Sequence, residues 1–231
     1  MKITWLGHSG FRIEIAGQVL LVDPWFTGNP MFEGHDRAAA IAGVTHVLVN
    51  HGHGDHSGDA LAISKETGAP LLGIYDLMSH WQATEGVSVV GFNKGGTVRL
   101  GEVGVTLVNA VHSSSLGSDA GPVYAGAEAG FMIAGEGHTI YFTGDTDVMA
   151  DMKVFADLHA PDIGILCVGG HFTMDQRRAA YAAKTFFDFK TVIPCHYRTF
   201  PLLAQSADEF RGLMAPVKVE APEVMGVVTL G

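Results

Sequence analysis

The sequence predicts an α/β chain of the α+β type, in which two sheets lie between helices. Three observations carry this expectation. Short apolar runs at the start are separated by glycines and polar residues, as adjacent antiparallel strands are. From the middle onward, strand-like runs alternate with stretches of helical periodicity. Two late segments carry helix-start signals ahead of apolar residues at helical spacing.

Taken in order, residues 2–6, 11–15 and 19–22 read as strands, and residues 44–50 as a buried strand ending on a histidine cluster. Residues 59–67 read as a helix and 70–74 as the next strand. Further strands are expected at 87–92, 97–100, 105–110, 131–134 and 139–142, with final strands at 191–194 and 227–230. The helix-start signals run from Thr173 to Gln176 and from Ser206 to Glu209. In each, the hydroxyl would cap one backbone amide while the amide or acid reaches back. Ala179, Ala183 and Phe186 follow the first, and Phe210, Leu213 and Met214 the second. The glycine-rich stretch 116–126 is long enough to be a loop over a site. No repeat or linker divides the chain, so residues 1–231 are expected to form a single domain.

Composition narrows the function. The chain is 47% hydrophobic and 16% charged, with a mean hydropathy of +0.23, which argues against disorder. No stretch approaches the ~18 apolar residues of a membrane span, so no membrane partner is expected. His8 and Gly10 come too early for a secretion-signal core. The two cysteines, Cys167 and Cys195, suit a reducing compartment, and the expected place is the cytoplasm. The net charge is −10 with no run of lysine or arginine, so most of the surface would repel a polyanion and no nucleic-acid partner is expected. A homo-oligomer is left open, because no interface can be read from the sequence.

The densest chemistry is His51-Gly52-His53-Gly54-Asp55-His56, directly after an apolar strand. Imidazoles and a carboxylate so closely spaced form a ligand set suited to Zn²⁺ and its neighbours. The two glycines are expected to let the backbone turn sharply and pass close to the ions. One cluster cannot complete two metal sites, and the remaining ligands should come from strand ends. His112, Asp145 and His196 each follow an apolar strand by one or a few residues, and their recurrence in that position singles them out.

These residues resemble the metallo-β-lactamase superfamily, whose HxHxDH signature matches residues 51–56 and whose later ligands match His112, Asp145 and His196 in order. The segments 5–9, 23–25, 27–30, 169–174 and 196–201 extend the resemblance over nearly the whole chain. They are similar to the UPF0173 metal-dependent hydrolases, a group similar to the ascorbate-6-phosphate lactonase-like branch. The resemblance implies a four-layer αββα sandwich of two mixed sheets flanked by helices, with the site at one edge. It also implies a cofactor of two divalent metal ions, Zn first, with Mn or Fe accepting the same set. His51, His53 and His112 would hold one ion, Asp55, His56 and His196 the other, and Asp145 would bridge them. Arg198 departs from the family pattern. It reads first as a solvated arginine and second as a local anion-binding group.

The expected chemistry is hydrolysis of a small-molecule ester or lactone by a metal-bridged hydroxide, with Asp55 orienting it and moving a proton. Two divalent ions against two carboxylates would leave a cationic pocket, suited to small anionic or polarised substrates. His8 and His171 are further candidates for catalytic contact, His171 because it precedes a helix start. Thr173 reads as that helix's cap, Tyr197 as a packed ring, and Asp23 as a residue orienting a ligand imidazole. His35, His46, His80, His138 and His159 lack strand-end company and read as structural or solvated. The alternatives are cleavage of a small-nucleotide phosphodiester and a metal-binding scaffold without turnover. A flavin-linked diiron enzyme is disfavoured by His53, where that branch carries Glu. A glyoxalase II is disfavoured by the strand at the C-terminal end, where those enzymes add a helical region.

Overall fold

The computed structural model describes residues 1–231. The first half forms β1 (Lys2–Trp5), β2 (Phe11–Ile15), β3 (Gln18–Val22), α1 (Arg37–Ile41), β4 (His46–Val49), α2 (Gly54–Ser57), α3 (Ala60–Thr67), β5 (Leu71–Ile74), α4 (Tyr75–Glu85) and β6 (Val89–Phe92). Then come β7 (Thr97–Leu100), β8 (Val103–Asn109), β9 (Ser115–Leu116), β10 (Val123–Tyr124), β11 (Ala129–Gly135) and β12 (His138–Phe142). The chain finishes with α5 (Asp151–His159), β13 (Ile163–Cys167), α6 (Gln176–Phe186), β14 (Thr191–Cys195), α7 (Asp208–Met214), β15 (Lys218–Val219) and β16 (Val227–Thr229).

Two seven-stranded sheets result, ordered β16-β1-β2-β3-β4-β5-β6 and β15-β14-β13-β12-β11-β8-β7. Each is half antiparallel and half parallel. In the first, β16, β1, β2 and β3 pair antiparallel while β3, β4, β5 and β6 pair parallel. In the second, β7, β8, β11 and β12 pair antiparallel while β12 to β15 pair parallel. The parallel strands read as unbroken apolar runs because both of their faces are covered. The sheets meet through contacts such as Phe11 against Phe142, whose ring centroids lie 6.0 Å apart. One continuous cluster of 61 buried apolar residues fills the interior. Helices flank the sheets, α3 and α4 on the first and α5, α6 and α7 on the second. The fold is therefore the expected αββα sandwich.

The helix ends correct the sequence reading. Helix α6 starts at Gln176, and its cap is Asp175, whose carboxylate accepts from the Arg178 amide at 2.8 Å. Thr173 lies outside the helix and its hydroxyl turns to the Met174 carbonyl. At α7 the Ser206 hydroxyl accepts from the Asp208 amide at 3.4 Å as expected, but Glu209 turns to Arg177 rather than reaching back, and the Phe210 amide donates to Oε1 of the buried Gln176 of α6. Helices α4 and α5, both unforeseen, start at Tyr75 and Asp151, and their cap positions, Ile74 and Ala150, give no side-chain hydrogen bond. The stretch 116–126 is not a loop over the site. It carries the hairpin β9–β10, and Ala125 and Ser115 back it against Gly52.

Candidate metal centre

The site lies on the seam between the sheets, at the C-terminal ends of their strands. His8 follows β1, Asp23 follows β3 and Asn50–His51 follow β4, while His112 follows β8, Asp145 follows β12 and His196 follows β14. Two backbone bonds close the seam, from the His196 amide to the His8 carbonyl and from the Ala129 amide to the Asn50 carbonyl, both at 3.1 Å. Long-range folding thus gathers residues far apart in the chain into one buried pocket floor.

All seven expected ligands come together. His51 Nε2 lies 2.9 Å from His53 Nδ1, and His112 joins them. Asp145 reaches both halves of the cluster. Its Oδ1 is 3.3 Å from His56 Nε2, and its Oδ2 is 3.0 Å from His196 Nε2 and 3.5 Å from His112 Nε2. Asp55 Oδ2 sits 3.9 Å from Nε2 of both His56 and His196. With ligand bonds of about 2.1 Å, donors around a tetrahedral cation lie roughly 3.4 Å apart, which is the spacing found here. Asp145 Oδ1 and the Nε2 atoms of His56 and His196 are buried with no hydrogen-bond partner, so the His56–Asp145 approach is close without being a hydrogen bond. Orphaned polar atoms converging on one point are costly unless something polar or cationic fills it.

The rear nitrogens of His56 and His51 are fixed by partners that can only accept or are placed to accept, whereas His196 Nδ1 is buried without one. His56 Nδ1 meets Asp23 Oδ2 at 2.8 Å, and the other oxygen of Asp23 takes the Asn50 amide at 2.9 Å. His51 Nδ1 is in short contact with Asn50 Oδ1. Both imidazoles therefore turn Nε2 into the cluster as bare donors when neutral. His8 Nε2 meets Asp55 Oδ2 at 3.1 Å and its Nδ1 meets Thr199 Oγ1 at 2.7 Å. A carboxylate cannot donate, so Nε2 carries the proton and Nδ1 accepts from the threonine hydroxyl.

Electrostatics marks the same spot. Burial opposes the charge on Asp145, but the His196 and His56 imidazoles outweigh it and hold the carboxyl well below the usual carboxylate range. The reverse acts on His56, where burial is overcome by Asp145 and Asp55 and the ring is pushed well above an ordinary histidine. Asp55 is also held low, with burial outweighed by His56 and His8. His51, His53 and His112 are lowered, chiefly by burial. His51, His53 and His112 are thus held in the neutral form that can ligate, while the carboxylates call for positive charge between them.

A profile of the family described as "Beta-lactamase superfamily domain" matches residues 2–196. A UPF0173 metal-dependent hydrolase from Dinoroseobacter shibae is 71% identical over 230 residues and covers 100% of both chains. Its counterpart from Paracoccus denitrificans is 61% identical with the same coverage. Among solved structures, Igni18, a metallo hydrolase from Ignicoccus hospitalis, superposes with a TM-score of 0.88. It is 32% identical and covers 100% of this chain and 98% of its own. The chain belongs to the UPF0173 metal-dependent hydrolases.

In this UPF0173 hydrolase a cavity of about 860 Å³ opens above the cluster, with His53, Asp55, His112, Asp145 and His196 on its floor. His8 is brought to the site but is fully buried beneath Asp55 and does not line the cavity. His171 is a correction. It is exposed, lies edge-on to Phe172 at 4.4 Å and does not line the cavity, because the turn at residues 169–173 sends Phe172 there instead. Helix α6 also begins too late to give His171 a helix N-terminus. Tyr197 is a packed ring, stacked on Trp5 at 5.3 Å. Arg198 pairs with Glu223 at 3.3 Å outside the cavity, as a solvated arginine would. Gly52 is also corrected: a Cβ there would strike Ala125 at 2.8 Å, so it serves the packing of the hairpin behind the cluster, while Gly54 faces open space. Sequence reasoning missed Asn50 and Thr199. Asn50 directly precedes His51, and Thr199 lies three residues after His196, but neither residue type signals its partner.

Proposed function

We propose that the chain is a dinuclear metal-dependent hydrolase acting on a small-molecule ester or lactone. His51 Nε2, His53 Nδ1 and His112 Nε2 would hold one ion, and Asp55, His56 Nε2 and His196 Nε2 the other. The observation that carries the reading is Asp145, a buried carboxylate with one oxygen within 3.3 Å of His56 and the other within 3.5 Å of both His196 and His112. A single-ion site would have no use for a carboxylate spread across both donor groups. Zn²⁺ suits this set first, and Mn or Fe ions accept it as well.

When bound, a pair of divalent cations supplies an activated water near neutral pH and polarises the carbonyl under attack. The chain's own residues position the reaction. His8, its pKa lowered to about 4 by burial and by His196, stays neutral and holds Asp55 through Nε2. Asp55, kept ionised, faces both the cluster and the cavity and is the group placed to take up a proton there. His8 acts through Asp55 and is a positioning residue. The two free, buried cysteines support a reducing compartment, in keeping with action in the cytoplasm.

The phosphodiesterase reading loses ground because no lysine or arginine lines the cavity and Arg198 faces away from it. A scaffold without turnover would not need donors open to an 860 Å³ cavity. The test is metal content and turnover together. Wild type is expected to carry two ions per chain by elemental analysis and to hydrolyse lactones, whereas Asp145→Ala should hold at most one and lose at least 100-fold in kcat/KM. Two tightly held ions in Asp145→Ala would sink the bridging role. Turnover of phosphodiesters but no lactone, abolished in His56→Ala, would transfer the protein to the nucleotide-cleaving reading.

A further inference from the structure

The cavity has two chemically distinct parts. Its floor is the His/Asp cluster, and its wall is apolar, built by Trp25, Phe172, Phe200 and Leu202. The chain has 14 lysines and arginines, yet none of them lines this cavity. Two of its polar groups are already engaged, since Trp25 Nε1 donates to the Thr27 carbonyl at 2.8 Å and the Thr27 hydroxyl to Asp59, which leaves Ser113 as the polar side chain at the rim.

The inner half of the wall is held in place. The Trp25 ring stacks on Phe200, with centroids 5.8 Å apart and planes at 27°, and His8 stands edge-on to both rings. Gly58 makes room for it, since a Cβ there would come within 3.1 Å of Trp25 Cδ1. The buried Asp59 accepts from the amides of Phe26 and Thr27 and from the Thr27 hydroxyl, which fixes the loop that carries Trp25. The outer half is wet. Phe172 is 49% exposed and Leu202 63% exposed, so a ligand leaving the floor along this wall would cover apolar surface now in water.

A cationic floor alone would favour small anions, but it can serve only the reacting group. An acidic group along the wall would meet rings and a leucine, with no lysine or arginine to pair with. We infer that Trp25, Phe200, Phe172 and Leu202 form a recognition wall for an uncharged aryl or medium-length alkyl group, so that the substrate is a neutral, hydrophobically substituted ester or lactone. This rests on the hydrolase reading above. It sets the protein apart from enzymes for phosphorylated or carboxylated sugar lactones, whose distal charge would need a cation on this wall.

The test uses the metal-loaded, full-length protein and γ-lactones from butyrolactone to dodecalactone, with a lactone bearing a terminal carboxylate on its chain. kcat/KM is expected to rise about three- to fourfold per methylene until the wall is covered. The carboxylated lactone should fall at least tenfold below its neutral counterpart. In Phe172→Ala/Leu202→Ala, both exposed positions, the ratio between long and short lactones should drop at least tenfold with metal content unchanged. A parallel arm measures calorimetric binding of γ-lactams of the same chain lengths, which are far slower to hydrolyse. Tighter binding of the long lactams without turnover of any lactone would uphold the wall and reject the hydrolase reading. Lactam affinity indifferent to chain length, or turnover that favours the carboxylated lactone, would overturn the wall.

Discussion

His56 shows how one side chain is specified from two sides. Its Nδ1 donates to Asp23 Oδ2 at 2.8 Å, which leaves Nε2 aimed at Asp145 and Asp55. Removing the rear acceptor does not remove a ligand, but it frees the ring to rotate or change tautomer. Asp23→Asn keeps the volume and the left-handed backbone, at φ 46°, that Asn tolerates. It is expected to weaken metal affinity about 10- to 100-fold with little loss of secondary structure. Competition titration with a chromogenic chelator measures it, and unchanged affinity would remove Asp23 from the site. At this scale much was legible: the spacing of residues 51–56 marks ligands by chemistry alone. Asn50 and Thr199 were not, because an amide or a hydroxyl becomes a positioning group only through a neighbour that folding supplies.

The strands deliver these groups by ending abruptly. His8, Asp23 and His196 adopt φ of 50°, 46° and 57°, each within three residues of a strand end. This left-handed turn reverses the chain at once and keeps the side chain on the seam, at a cost of about 1–3 kcal/mol per residue. Asp and His bear it better than most residue types. Gly144 makes the same turn after β12 at φ 60°, and a Cβ there would collide with the Asn50 amide and the Ala129 carbonyl. Gly144→Ala is therefore expected to destabilise by on the order of 2–4 kcal/mol and to disturb the Asn50–His51 contact as well. A thermal melt of the metal-loaded protein should fall by roughly 5–15 °C, and an unchanged melt would show that the turn relaxes freely. Strands of this kind were readable from their apolar runs. Helices α4 and α5 were not, since each starts without a capping side chain and is held by packing on its sheet.

Across the whole molecule, the proposed metal cluster would couple stability to metal and to pH. Without ions, like charges and orphaned polar atoms face one another in the core. Metal at about 1,000 times its dissociation constant would restore roughly 4 kcal/mol. In the stripped protein His8 has a folded pKa of about 4 against 6.5 when unfolded. The unfolded chain then binds the extra proton between those values, so this contribution is present above pH 6.5 and is lost as pH falls to 4. It amounts to on the order of 3 kcal/mol. Lowered His51 acts with the same sign. Raised His56 acts oppositely and only above pH 6.5, where its stabilisation is lost as pH rises through its folded value. Calorimetric melts of chelator-treated protein should drop by about 10 °C between pH 6.5 and 4.5. A flat profile over that window would contradict a neutral, buried His8.

The residue types and spacing of 51–56, with His112, Asp145 and His196 each beyond an apolar strand, by themselves marked out a candidate His/Asp metal site, and the fold brings those residues together. The apolar runs likewise determined most strands of the two sheets, though not the buried β13 at Ile163–Cys167, which the sequence reading passed over. These are local properties, written in the order of side chains along the chain. Tertiary structure alone decided that Asp145 spans both donor groups, that His8 serves Asp55 and that Phe172 rather than His171 turns toward the cavity. It also decided that the cavity wall is largely apolar and carries no lysine or arginine. Those outcomes depend on which strand ends meet across the seam and how each turn aims its side chains, and no local pattern encodes the meeting of residues nearly two hundred positions apart, such as His8 and Thr199.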